Sequence, residues 1–211
     1  KVGLRSLSID PSTSRRIALP SYLTEFEPII FDLDAESGDR VLKLPETSDY
    51  GRQVAFTPDG RVVAVGRMHC LIEFYDSANG APLGSLTAFE DIWWLRAMRF
   101  SPDGKYLVAA SNTGMRITGF DEKTGRGRDD INREPIKMWD AKSLELARTF
   151  DAEGRVAQSL DISADSRLLI AGLSKGYVDV WNLHSGKRIA RFRPAKHHML
   201  AMLSPDQKRL A

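Results

Sequence analysis

The sequence predicts an all-β chain that repeats one four-stranded antiparallel unit, and three observations predict it. First, a turn phrase recurs: an apolar residue, then Ser, Thr or Asp, then Pro, Asp and Gly. It stands as Phe56-Thr57-Pro58-Asp59-Gly60 and Phe100-Ser101-Pro102-Asp103-Gly104. Weaker copies are Ile9-Asp10-Pro11-Ser12, Ile162-Ser163-Ala164-Asp165 and Leu203-Ser204-Pro205-Asp206. Second, an alternating stretch ending in an aromatic and then Asp or Asn recurs. Its copies are Ile29-Ile30-Phe31-Asp32, Ile72-Glu73-Phe74-Tyr75-Asp76, Ile136-Lys137-Met138-Trp139-Asp140 and Val178-Asp179-Val180-Trp181-Asn182. Third, the two phrases keep a fixed phase. The apolar anchors Ile9, Phe56, Phe100, Ile162 and Leu203 are 47, 44, 62 and 41 residues apart. Three of the four intervals match a four-strand repeat of roughly 40–45 residues, and the long one holds an insertion of roughly 20.

Each element of one period has a local reason. In residues 51–88, Val54-Ala55-Phe56 reads as strand A. In the turn after it, Pro58 presets φ, Asp59 can bond its own backbone and Gly60 accepts the exit conformation. Arg61-Val62-Val63-Ala64-Val65 is a nearly continuous apolar run, as expected of strand B covered on both faces. Residues 66–70 form the B–C connection, and residues 71–75 alternate as strand C. After a turn ending at Gly80, Pro82 opens a short strand D, where an edge position tolerates its missing N–H. Helix-period segments of ten or more residues, which a parallel α/β fold needs, are missing. Residues 143–150 are the best helical candidate, and they fall in phase with strand D of the other copies.

The two phrases resemble the WD-repeat family of β-propellers, over nearly the whole chain. The resemblance implies a β-propeller segment of four-stranded antiparallel blades, with the turn phrase between strands A and B and the aromatic–Asp pair ending strand C. The pair is complete at Trp139-Asp140 and relaxed at Trp181-Asn182, Tyr75-Asp76 and Phe31-Asp32. The blades read as 1–45, 51–88, 92–152 with an insertion at 112–135, 154–195 and a partial fifth at 197–211. Part of a larger ring is expected, about seven blades in all. The family's Gly-His dipeptide is missing. Its buried Asp, six residues before the aromatic, is replaced by Glu25, His69, Arg133 and Lys175. The usual buried tetrad is therefore not expected, and the blades should be held mainly by apolar packing.

Composition narrows the function. The chain has 211 residues, 42% hydrophobic and 27% charged, which is a globular balance. No apolar run approaches the roughly 20 residues that span a bilayer, and no signal pattern is visible, although one upstream of Lys1 is left open. With 30 basic and 28 acidic residues the bulk charge points to no polyanion. Cys70 is the single cysteine, so an intramolecular disulfide and a thiolate zinc cluster are excluded. The expected location is cytoplasmic or otherwise intracellular.

Candidate partner-binding residues fall on the face that carries the D–A and B–C connections. Four residues before each strand A anchor stand Arg5, Arg52, Arg96, Gln158 and Met199. They are expected at the channel mouth, where arginines can form an anion-attracting funnel or pair with local carboxylates such as Asp49 and Asp91. Trp93 and Trp94 lie in a D–A connection and can anchor a partner or cover the core. The insertion carries Arg126 and Arg128 in a Gly-rich charged stretch, read as a loop or extended hairpin. Arg191 and Arg193, on strand D with Lys196, His197 and His198 beyond, can contact phosphates or form a solvated edge. No nucleophile elbow, metal-ligand spacing or phosphate loop in a strand-to-helix context appears.

The expected function is a non-catalytic scaffold that presents its loops and channel mouth to a protein or peptide, with no cofactor, metal or membrane. Further blades would come from the same polypeptide or a partner chain. Two rivals remain: a propeller enzyme or small anionic-ligand binder with a channel-mouth site, and a nucleic-acid-associated module.

Overall fold

Four antiparallel sheets follow one another along the chain, each built from four strands. A computed structural model describes residues 6–20, 27–34, 41–45, 51–90, 95–111, 136–197, 200–204 and 206–210 in full, and residues 114–120 and 127–132 by their backbone. Blade I contains β1 (Ser8–Ile9), β2 (Arg16–Leu19), β3 (Ile29–Asp32) and β4 (Val41–Lys43). Blade II contains β5 (Gln53–Phe56), β6 (Val62–Gly66), β7 (Leu71–Asp76) and β8 (Pro82–Thr87). Blade III starts with β9 (Leu95–Phe100) and β10 (Tyr106–Ser111). The insertion follows as a separate two-stranded hairpin, β11 (Gly114–Phe120) with β12 (Gly127–Asn132). Blade III then ends with β13 (Ile136–Asp140) and β14 (Leu146–Phe150). Blade IV contains β15 (Ala157–Ile162), β16 (Leu168–Leu173), β17 (Val178–Asn182) and β18 (Arg188–Phe192). A bridge between Leu203 and Leu210 follows blade IV. Residues 146–150, within the best helical candidate, are thus a strand.

The turn phrase works through side-chain chemistry. In four A–B turns a hydroxyl donates to the Asp two residues on: Thr57 to Asp59, Ser101 to Asp103, Ser163 to Asp165 and Ser204 to Asp206. The same hydroxyl accepts the N–H five residues on, from Val62, Tyr106, Leu168 and Arg209. Left-handed φ follows at Gly60 and Gly104, but also at Ser166 and Gln207, so the motif tolerates loss of its glycine. At Gly60 the residue choice is tighter, because a Cβ there would collide with Asp10 Oδ1 of the neighbouring blade. The Asp or Asn after the strand C aromatic accepts backbone N–H groups of the C–D turn, as Asp76 does from Ala78 and Asn79, Asp140 from Lys142 and Ser143, and Asn182 from Ser185. These are Asx turns, which explains why either residue type serves.

The core lies in the seams between blades. Tyr75 packs with Ala18, Ile30 and Leu44 at seam I/II, Trp139 with Ala64, Ile72 and Phe89 at seam II/III, and Trp181 with Met138, Phe150 and Leu169 at seam III/IV. Each strand C aromatic thus turns back onto the preceding blade. Burying a ring of this size removes roughly 150–250 Å² from water, about 4–6 kcal/mol before conformational entropy is subtracted.

At seam I/II buried charge joins the apolar packing. Asp10 is fully buried and binds Arg16, whose guanidinium crosses to blade II and donates to the carbonyls of Gly60 (2.7 Å) and Ser77 (3.1 Å). Burial pushes the Asp10 carboxyl up, but hydrogen bonds from Ser12, Arg16 and Thr13 outweigh it and hold the pKa at about 2.

Candidate binding surfaces around the channel

The inner strands β1, β5, β9 and β15 adjoin one another around the channel. Strand alternation sends every second N–H of an inner strand toward its own sheet and the others toward the channel edge. At β5 and after blade IV, side chains from the preceding blade cap those outward donors. Ser8 Oγ accepts from Phe56 N–H at 3.1 Å and Ser6 Oγ from Val54 N–H at 3.4 Å. Asp161 Oδ2 accepts from Leu203 N–H at 2.7 Å, and Ser159 Oγ from Ala201 N–H at 2.9 Å. The capping positions are one and three residues before the anchor. In blade II they hold Ala55 and Gln53, and in blade III Arg99 and Ala97.

A cavity of about 320 Å³ lies on the D–A side of this edge. Its polar wall is Ser6, Gln53, Arg96, Arg99, Gln158 and Ser159, contributed by all four blades. Arg96 and Gln158 arrive there because each is the extra residue of a β-bulge: Leu95 and Ala97 oppose Ser111 and Ala110, while Ala157 and Ser159 oppose Leu173 and Gly172. In β5 the pairing is regular, Gln53 lies opposite Gly66, and Gln53 rather than Arg52 is the lining residue. Arg52 is half-buried, and its N–H donates to Gly66 O at 2.8 Å. Arg5, Met199, Trp93, Trp94 and Arg126 lie outside the described residues, and Arg128 is described only as backbone within β12.

Farther out, one position carries charge in three blades. Two residues before the strand C aromatic stand Glu73, Lys137 and Asp179. The Arg67 side chain, only 1% exposed, ion-pairs with Glu73 and donates to Tyr75 Oη (3.1 Å) and Pro45 O of blade I (3.3 Å). Tyr75 donates to Glu73 at 2.8 Å. Burial pushes the Tyr75 phenol pKa up. Lys137 lies 4.6 Å from the Phe89 ring centroid, and Phe89 meets Trp139 edge-on at 5.9 Å. Asp179, fully buried, receives a two-pronged contact from Arg191 directly across the strand pair, both at 2.6 Å.

The basic stretch is therefore neither a simple solvated edge nor a free phosphate clamp. Arg191 and Arg188 also ion-pair with Glu153, and Arg155 approaches it at 3.2 Å. Hydrogen bonds from Arg191, then Arg188, hold Glu153 at a pKa of about 2. Arg155, Arg193 and Arg191 surround the Tyr177 ring at 4.1, 5.1 and 5.6 Å. His69 and Lys175, which replace the family's buried Asp, both have left-handed φ in the B–C turn, while Glu25 and Arg133 lie outside the described residues. Sequence reasoning missed Arg67, Glu73, Arg99 and Asp179. A signal existed: a charged residue recurs two places before the aromatic, and the capping positions alternate with the anchors.

Every described carboxylate with a resolved pKa shift moves downward. Besides Asp10 and Glu153 these are Asp59, Asp103, Asp140, Asp165 and Asp206, all in turns. Among the described residues no group of three or more His, Cys, Asp or Glu gathers as metal ligands. No helix of the described residues is long and apolar enough to cross a membrane.

Repeated four-stranded sheets with aromatic seams define a segment of β-propeller blades. A solved structure, the Kuenenia stuttgartiensis hydrazine synthase, shares this fold with a TM-score of 0.74 and 17% identity, across 99% of this chain and 54% of that one. The family model "WD domain, G-beta repeat" matches residues 80–117. The small ribosomal subunit protein RACK1 of Brassica napus is 31% identical over 136 residues, covering 64% of this chain and 39% of that protein. Subunit I of eukaryotic translation initiation factor 3 from Lodderomyces elongisporus is 31% identical over 94 residues, covering 44% of this chain and 25% of that protein. The Drosophila melanogaster protein groucho is 25% identical over 146 residues, covering 68% and 17%. The chain is similar to WD-repeat proteins over these stretches, and it spans about two-fifths of the RACK1 relatives it matches.

Proposed function

We propose that this chain is a non-catalytic scaffold that presents its D–A and B–C connections and the channel mouth to a protein or peptide partner. The observation that carries this reading is the use of its titratable groups. The shifted carboxylates are held ionised in turns and seams, well below the range a general acid or base needs at neutral pH. What remains is a channel mouth with a polar wall. The relatives support an intracellular location, since two are named as a ribosomal subunit protein and a translation initiation factor subunit. Further blades, from the same polypeptide or a partner chain, go with this reading. They would cover Leu7 and Ile9 of blade I and Leu200 and Met202 after blade IV, all exposed in the described residues.

The test is quantitative affinity capture with the wild-type chain and with a Trp93→Ala, Trp94→Ala, Arg96→Ala variant of unchanged melting temperature. A protein retained by the wild type and lost from the variant is expected. An identical captured set overturns the reading. The polar cavity lined by Arg96 and Arg99 favours the small-anion rival. Thermal stabilisation by a phosphorylated metabolite set, abolished by Arg96→Ala, would put that rival first. The nucleic-acid rival is weakened by the carboxylates that already hold Arg188 and Arg191.

A further inference from the structure

On the A–B turn side, opposite the D–A connections, a second cavity of about 570 Å³ opens between the inner strands of blades I, II and III. Three turn prolines, Pro11, Pro58 and Pro102, stand at its rim, and Ile9, Phe56 and Phe100 form its wall. One cation enters this apolar cup. Arg99 lines both it and the polar cavity behind, and its guanidinium donates to the Met98 carbonyl at 3.0 Å.

The acids nearby are committed elsewhere. Asp10 is held by Arg16, Ser12 and Thr13. Asp59 and Asp103 accept from their turn hydroxyls and from the N–H groups of Arg61 and Lys105. Asp161 accepts from the N–H groups of Ile162 and Leu203. Among the residues that line the cup, Arg99 is the charged one.

The backbone adds a donor. Ser101 N–H points to its own sheet, bonding Tyr106 O at 2.8 Å, so alternation turns the Phe100 N–H toward the channel edge. At the equivalent place one blade earlier Ser8 accepts the Phe56 N–H, and after blade IV Asp161 accepts the Leu203 N–H. Facing Phe100 the corresponding residue is Ala55, whose side chain accepts nothing.

We propose that this cup receives an apolar peptide segment carrying a carboxylate, which pairs with Arg99 and takes the Phe100 N–H while its apolar neighbours pack against the proline-rimmed wall. Charge complementarity selects the acid, and the lining selects the flanking residues. This site lies on the mouth opposite the scaffold face and does not depend on that reading.

The test is fluorescence anisotropy of the whole chain with a labelled peptide Gly-Leu-Phe-Glu-Leu-Phe-Gly and with its counterpart carrying Gln in place of Glu. The Glu peptide is expected to bind about tenfold more tightly, a preference that narrows to about twofold in Arg99→Gln and is largely kept in Arg99→Lys. Ala55→Ser supplies the hydroxyl that Ser8 supplies one seam earlier, and is expected to weaken the Glu peptide about threefold at unchanged melting temperature. Should Arg99→Gln fail to fold, the Glu–Gln preference of the wild type and the roughly threefold weakening of the Glu peptide in Ala55→Ser decide. Equal binding of both peptides, no binding of either up to about 1 mM, or a Glu preference that survives both substitutions overturns the proposal. Peptide binding is read independently of Trp93 and Trp94, so the two readings fail separately.

Discussion

Seams I/II and II/III join equivalent blades by different chemistry. Seam I/II carries buried charge: Arg67 with Glu73 and Tyr75 above, Asp10 with Arg16 and the Gly60 and Ser77 carbonyls below. Seam II/III is apolar, with Phe89 against Trp139 and Leu107, Met98 and Ile72 around them, and the charged Lys137 lies there against the Phe89 ring. Lost apolar contacts leave a cavity whose cost tracks its volume. A lost charge partner leaves its mate buried and unpaired, and that cost tracks desolvation. The repeat therefore specifies the geometry of a seam, while its chemistry is free to differ.

Breaking the apolar seam should have the largest effect. Trp139→Ala removes the ring that Phe89 meets at 5.9 Å, and is expected to cost about 3–5 kcal/mol in urea unfolding. Breaking the charged seam comes next. Glu73→Gln keeps the shape but leaves Arg67, 1% exposed, without its carboxylate, at an expected cost of about 3 kcal/mol. The double variant Arg67→Met with Glu73→Leu should be more stable than either single variant. A double as unstable as the sum of the singles would show that the pair acts through shape and not charge.

Acid should separate the two seams further. Asp10 has a folded pKa of about 2, below its unfolded value, so its contribution is present above roughly pH 4 and is lost as pH falls toward 2. The turn aspartates shift in the same direction. The urea midpoint should fall between about pH 4 and pH 2, and Asp10→Asn should flatten part of that slope while lowering stability at neutral pH. A slope unchanged by Asp10→Asn would assign acid sensitivity to the turns alone. The smallest effect is expected from Glu153→Gln. Its side chain is 43% exposed, so solvent screens its arginine contacts, and the melting temperature should shift less than for Glu73→Gln.

Much of this is legible in the residues. Thr57, Ser101, Ser163 and their aspartates announce the turns because the hydrogen bonds are local, spanning two to five residues. Tyr75, Trp139 and Trp181 announce the seams because burial of a large ring repeats at one strand position. The channel is harder to read. Counting four residues back from each anchor reaches Arg96 and Gln158 only through bulges, and in blade II Gln53 stands where that count puts Arg52. Arg99 sits at a capping position, one residue before its anchor, which a count of four steps over.

What the sequence determined by itself is therefore the repeat: four-stranded units, their turns, and the residue that each strand C turns toward its neighbour. These follow from short-range hydrogen bonding and from a period-two alternation that any strand obeys. Only the tertiary structure decided which charges meet. Arg16 and Gly60, or Arg67 and Pro45, are far apart along the chain and adjacent only once blades are stacked. A bulge of one residue, invisible in composition, reverses which side chain faces the channel. The pairing across seams is set by packing between sheets, and no local pattern encodes it.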